Sequence, residues 1–166
     1  DGEICTCGPT VMMGYLGNEK ETNEMLQQHK DGYVWLHTGD IGYMDKDGCF
    51  FYRQRLKRMI VSSGYNVYPQ QIETVIEGHE DVLKCTVIGI PHKYKVEVPK
   101  AYIVLKSGVK PSLGLKSEIK ELCKKNLAKF SVPAEYEFRE SLPKTRIGKV
   151  DFRELAKKLA QKYKTR

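Results

Sequence analysis

The stretch QRLKRMIVSSGYNVYPQQIE, residues 54–73, divides the chain. It opens with a basic cluster, Arg55, Lys57 and Arg58, and runs into the apolar residues 59–61. A small-residue loop with Gly64 and Asn66 follows. Pro69 then stands where proline is welcome, in the first turn of a helix. Ile72, Val75 and Ile76 recur at helical spacing and predict one apolar face. The segment is not a glycine-serine tether. It is short and charged, which suits a hinge with a defined swing.

Before this stretch the pattern is that of strands. Residues 4–7 and 11–13 read as short strands split by Gly8 and Pro9, and residues 19–28 suit a helix. Residues 34–38, 41–44 and 49–52 read as strands, the last two joined by Asp45, Lys46, Asp47 and Gly48, a hairpin-turn composition. After it, helices and strands alternate. Residues 82–90 and 101–105 are rich in β-branched side chains. Residues 115–128 carry Leu115, Ile119, Leu122 and Cys123 on one helical face, residues 136–138 suit a short strand, and a final helix over residues 151–163 is expected to bury Phe152, Leu155, Leu159 and Tyr163. The expected fold is α+β. A small β-rich segment, residues 1–56, precedes a compact α/β domain, residues 57–166, in which helices flank a short mixed sheet.

Composition narrows the function. The 166 residues are 40% hydrophobic and 30% charged, as in globular proteins, and no apolar run is long enough for a membrane span. The net charge of +7 invites a nucleic-acid reading. The lysines are scattered among acidic residues and no nucleic-acid motif accompanies them, so a phosphate-bearing small molecule suits the charge better. The five cysteines are odd in number and irregular in spacing. Cys5 and Cys7 would share a strand face, but no second pair completes a zinc set. Reduced thiols in a cytoplasmic protein, with no metal site, are expected. The first residue is Asp1, and the abrupt strand-like start is what a piece of a longer chain would show.

Three short stretches carry chemistry. In Thr38-Gly39-Asp40, glycine permits close backbone approach and the carboxylate can accept two hydroxyl hydrogen bonds from a ribose. Read alone, an aspartate after a glycine is usually just a turn or cap residue. In residues 54–73, Arg55 has the fixed geometry for ribose hydroxyls or phosphate oxygens, and the loop at Gly64 could lie along an extended ligand. In LPKTRIGKVD, residues 142–151, Lys149 follows a glycine on a loop and could bring a point charge to phosphate or carboxylate oxygens. A solvated lysine is the plain alternative, although a helix N-terminus disfavours positive charge.

The order of these stretches resembles the adenylate-forming, AMP-producing superfamily of acyl-CoA synthetases, aryl-CoA ligases, luciferases and peptide-synthetase adenylation domains. GEICTCGPTVMMGYL (2–16), GYVWLHTGDIGYMDKDGCFFY (32–52), residues 54–73 and LPKTRIGKVDFREL (142–155) each resemble a family motif, in family order and over nearly the whole chain. The resemblance implies a C-terminal portion of an acyl-CoA synthetase of the fatty-acid–CoA ligase type, made of the end of a large N-terminal domain and a small lid domain. It implies that Asp40 and Arg55 bind the ATP ribose, that Lys57 is the hinge, and that Lys149 is the catalytic lysine of adenylation. It also implies that Ser63, Gly64 and Tyr65 lie along the pantetheine of CoA. ATP with Mg2+, CoA and a carboxylic acid would be the substrates, and the missing N-terminal domain the structural partner. Such a portion alone is expected to be inactive. The chain departs from the pattern at Gln54, where glycine is common, at Arg58, where an acidic residue is common, and at Val61, where lysine is frequent. GKVD at residues 148–151 resembles the peptide-synthetase branch, which remains one alternative, and a non-catalytic interaction module is another.

Overall fold

The structure is a computed structural model that describes residues 1–164, with the side chains of residues 1–157 and 159. Tyr163, expected on the buried face of the last helix, lies outside the described side chains. The chain forms two compact units, Asp1–Lys57 and Arg58–Arg166.

The first unit is a four-stranded antiparallel sheet built on one long strand. Strands β1 (Gly2–Thr6), β2 (Leu26–Gln28) and β4 (Phe50–Arg55) all pair with β3 (Val34–Met44). Two strands were expected where β3 runs unbroken. Gly39 at φ 70° lets the chain pass through a left-handed residue without leaving the sheet, and the β1 partner shifts register between Glu3 and Cys5 to match. The turn between β3 and β4 follows its composition. Asp45 Oδ1 accepts the amides of Asp47 (3.0 Å) and Cys49 (2.9 Å), and Gly48 takes φ 82°.

Two further expectations fail in this unit. Residues 11–13 are not a strand: Val11 N closes a turn on Gly8 O, Gly8 and Gly14 both have positive φ, and among the described residues no strand pairs with the segment. The helix α1 (Glu19–Met25) is capped by Asn18 and stops short of residue 28. Residues 26–28 instead take the free edge of β3 as β2, a tertiary override of helix-favouring Leu and Gln.

The second unit places helices on both faces of a five-stranded mixed sheet. Strands β5 (Ile60–Ser62) and β6 (Tyr65–Val67) form a hairpin. Strands β7 (Val82–His92) and β8 (Val96–Leu105) pair antiparallel along their length, and β9 (Glu135–Arg139) adds in parallel to β8. Alternation along the central strands feeds two cores. Cys85, Val87, Ala101 and Ile103 face α2 (Pro69–Glu77) and α3 (Leu113–Asn126), where Ile72, Ile76, Leu115, Ile119 and Cys123 are buried. Ile88, Ile90, Tyr102 and Val104 face α4 (Phe152–Lys164), which buries Leu155 and Leu159 and packs Phe152 at the margin. α3 begins at Ser112, whose hydroxyl accepts Leu115 N at 3.0 Å, and α4 begins at Asp151, whose carboxylate accepts Glu154 N at 3.0 Å. Of Leu122 and Cys123, both expected on the apolar face of α3, only Cys123 is buried.

Candidate functional site

In the first unit, the ladder itself brings Asp40 and Arg55 together as direct cross-strand partners of β3 and β4. Thr38, Gly39 and Asp40 lie in the middle of β3 and not at a strand end. Arg55 Nε lies 2.9 Å from Asp40 Oδ1, and Arg55 Nη1 donates to the Thr38 carbonyl at 3.0 Å. Asp40 Oδ1 makes no hydrogen bond despite the short ion-pair distance, so the carboxylate keeps acceptor capacity for hydroxyl groups. The backbone around it is secured from below. Glu3 Oε1 accepts Gly39 N (2.9 Å), and the Thr38 hydroxyl donates to Ile4 O (2.6 Å) while accepting Asp40 N (3.1 Å).

Glu3, Cys5 and His37 bring ligand-type atoms within 4.8 Å of one another beside this bulge. Glu3 is already engaged, one oxygen by Gly39 N and the other by His37 Nδ1 at 2.8 Å. Burial, then the neighbouring Glu3 charge, pushes the Cys5 thiol pKa up, so it stays protonated. The cluster therefore works as a hydrogen-bond network that holds the bulge. Sequence reading missed Glu3 because its partners lie on another strand.

Lys57 is exposed in the short 3-10 turn Leu56–Arg58, and its side chain has no ion pair or hydrogen bond among the described residues. In the second unit, Ser63 and Gly64 form the two-residue loop of the β5–β6 hairpin, with φ of 52° and 82°. Two successive left-handed residues match a type I′ turn, whose twist fits a hairpin. Asn66, read as part of a loop, is in β6. Tyr65 stacks on Phe130 with ring centroids 4.4 Å apart and planes 8° from parallel. Phe130 and Ser62 line a groove with Lys95, Lys120, Lys124 and Lys129. None of these was singled out from sequence. The clustering joins α3, the turn after it and the β7–β8 connection, and no linear pattern shows it.

Lys149 sits on the loop between β9 and α4. The loop is pinched at its base by the bridge between Lys144 and Val150, and Thr145 N donates to Lys149 O at 2.7 Å. Gly148 at φ 82° makes the bend. The Lys149 side chain is exposed and has no ion pair or hydrogen bond among the described residues, with residues 63–65 or otherwise. The loop backbone is thus ordered by its own bonds while the ammonium is unspent.

Arg58, where the sequence departs from the motif, is not left unpaired. Its Nη2 donates to Glu73 Oε1, and its guanidinium lies 3.8 Å from the centroid of the Phe152 ring. The basic residue is satisfied by a carboxylate on the helix that follows.

Residues 71–149 match the family described as AMP-binding enzyme C-terminal domain. The chain is 42% identical over 149 residues, 90% of its length, to a long-chain-fatty-acid–CoA ligase of Bacillus subtilis, of which it covers 25%. It is 41% identical over 93% of its length to a fatty acid–[acyl-carrier-protein] ligase of Streptomyces coeruleorubidus, covering 28%. Among solved structures, an anthranilate CoA ligase in complex with anthranoyl-AMP superposes with a TM-score of 0.82 at 30% identity, over 95% of this chain and 30% of that one. The chain spans about a quarter of the length of the curated relatives it matches.

Proposed function

This chain is the C-terminal portion of an adenylate-forming, AMP-binding ligase, and on that premise we propose that the whole enzyme is an ATP-dependent acyl-CoA synthetase acting on a fatty acid. The names of the similar ligases support the substrate class. The observation that carries the reading is Lys149: a cation with no ion pair among the described residues, presented by a backbone-ordered loop.

The reaction has two steps. A carboxylate oxygen of the acid attacks the α-phosphorus of ATP, which arrives as its Mg2+ complex, and pyrophosphate leaves. The CoA thiolate then attacks the carbonyl carbon of the acyl-adenylate, and AMP leaves. In the first step two anions must meet. Lys149 offsets their repulsion and the charge of the transition state. Asp40 accepts the ribose hydroxyls, and Arg55 both holds Asp40 and adds its own donors at the ribose. In the second step the lysine stands in the path of the thiol. Lys57, exposed and unpaired among the described residues, is the pivot at which backbone torsions change, withdrawing Lys149 and presenting the turn of Ser63, Gly64 and Tyr65 to the pantetheine arm. The groove with four lysines beside Tyr65 suits the several phosphates of the nucleotide part of free CoA, where a carrier-protein acceptor brings a single phosphodiester.

The deciding experiment compares the full-length enzyme with its Lys149→Ala variant in the two half-reactions separately. The variant is expected to lose adenylation by about 10²-fold or more and still convert supplied acyl-adenylate to acyl-CoA. Equal rates in the first step would reduce Lys149 to a solvated lysine. The 166-residue chain alone, incubated with ATP and fatty acids, is expected to release no pyrophosphate.

A further inference from the structure

Arg58 stands at the junction of three elements. Its Nη2 donates to Glu73 Oε1 of α2 and lies 3.4 Å from the Val87 carbonyl of β7. The same Glu73 oxygen accepts Val87 N at 2.8 Å and the Thr86 hydroxyl at 3.2 Å. The other face of the guanidinium covers the ring of Phe152, which opens α4. Asp151, the residue before Phe152, donates its amide to Pro143 O at 2.8 Å, and Val150 bridges Lys144. The base of the Lys149 loop and the Arg58 side chain are therefore joined through a single aromatic ring. In the chain, Arg58 directly follows Lys57. A planar cation can hold a carboxylate edge-on and an arene face-on at once, which an ammonium cannot.

We infer that Arg58 is a positioning residue that ends the pivot at Lys57 and ties the base of the Lys149 loop to it. A torsional change at Lys57 then moves the loop as one body with the second unit. The inference rests on the roles given above to Lys57 and Lys149.

The test is amide hydrogen exchange on the 166-residue chain, read at Thr145, Gly148 and Asp151, whose amides bond within or beside the loop. Arg58→Ala is expected to speed exchange there by about five- to tenfold, the loss of one partly desolvated cation–π contact, while β7 and β8 stay protected. Phe152→Leu removes the ring and leaves the Glu73 pair, and should loosen the loop equally. Arg58→Lys keeps the charge opposite Glu73 without the planar stack, and should loosen the loop while preserving α2. In the full-length enzyme, Arg58→Ala should lower kcat of adenylation by about tenfold and leave KM for ATP unchanged. Unchanged loop rates in both Arg58→Ala and Phe152→Leu, or equal acceleration across the whole second unit, would overturn the inference. The exchange readout is independent of catalysis. Loop acceleration beside an adenylation-competent Lys149→Ala enzyme would support Arg58 as a positioning residue and overturn the reading of Lys149 instead.

Discussion

Lys100 carries a charge into a site where it is 3% exposed, on the α4 face of β8. A lone ammonium there would be neutralised by desolvation. Burial does favour its neutral form, but hydrogen bonds to Glu137 and Glu135, both at 2.9 Å, reverse the effect and raise its pKa above the ordinary lysine value. The partner shows the same competition with the opposite outcome in sign. Burial raises the Glu137 pKa, and hydrogen bonds from Lys100 and Arg139 more than offset it, so the net shift is downward from 4.5. A carboxyl with a lowered folded-state pKa contributes stability that is complete above its unfolded value. That stability is lost as pH falls through the folded value. Chemical denaturation between pH 6 and 3 should therefore show wild-type stability declining below about pH 4.5, and Glu137→Gln should flatten that decline. A decline of the same steepness in the variant would show that acid sensitivity arises elsewhere.

At the scale of elements, the β5–β6 hairpin depends on backbone conformation more than on contacts. A methyl at Gly64 would meet nothing within 4 Å, so the cost of Gly64→Ala is the left-handed backbone alone. About 1–2 kcal/mol is expected for an L-residue there, and less for Gly64→Asn, whose side chain tolerates that region. Thermal unfolding should rank the three proteins Gly above Asn above Ala. Alanine and asparagine at parity would mean that the turn relaxes to another type. Ser63, already left-handed at φ 52°, leaves the loop little room for such relaxation.

At the scale of the molecule, the two units differ in what they bury. Ile41 is the one apolar side chain of Asp1–Lys57 among the described core residues, whereas Arg58–Arg166 holds two clusters. The first unit exposes Tyr33, Val34, Tyr43, Met44, Phe50 and Tyr52. A four-stranded sheet with so small a core supplies little free energy against chain entropy, and its open edges can pair with another copy. Hydrogen exchange at graded urea should show β1–β4 losing protection well before β7 and β8. A shared midpoint would mean that the units unfold as one.

What the sequence alone determined is what single residues impose locally. Pro69 opens α2, the Asp45–Gly48 composition makes a turn, β-branched richness marks β7 and much of β8, and helical spacing of apolar residues places α3 and α4. Those requirements belong to the backbone of a few neighbouring residues, so they are legible wherever the chain goes. The order of four motifs, on which the family reading rests, is equally a property of the string. The tertiary structure decided what depends on who lies opposite. Residues 26–28 left a helix for the edge of β3, and residues 11–13, strand-like in composition, found no strand to pair with among the described residues. Tyr65 met Phe130, and Arg58 found Glu73 and Phe152. Cross-strand pairing, stacking and buried ion pairs draw their energy from groups distant in the chain, and only the folded sheet brings those groups within reach.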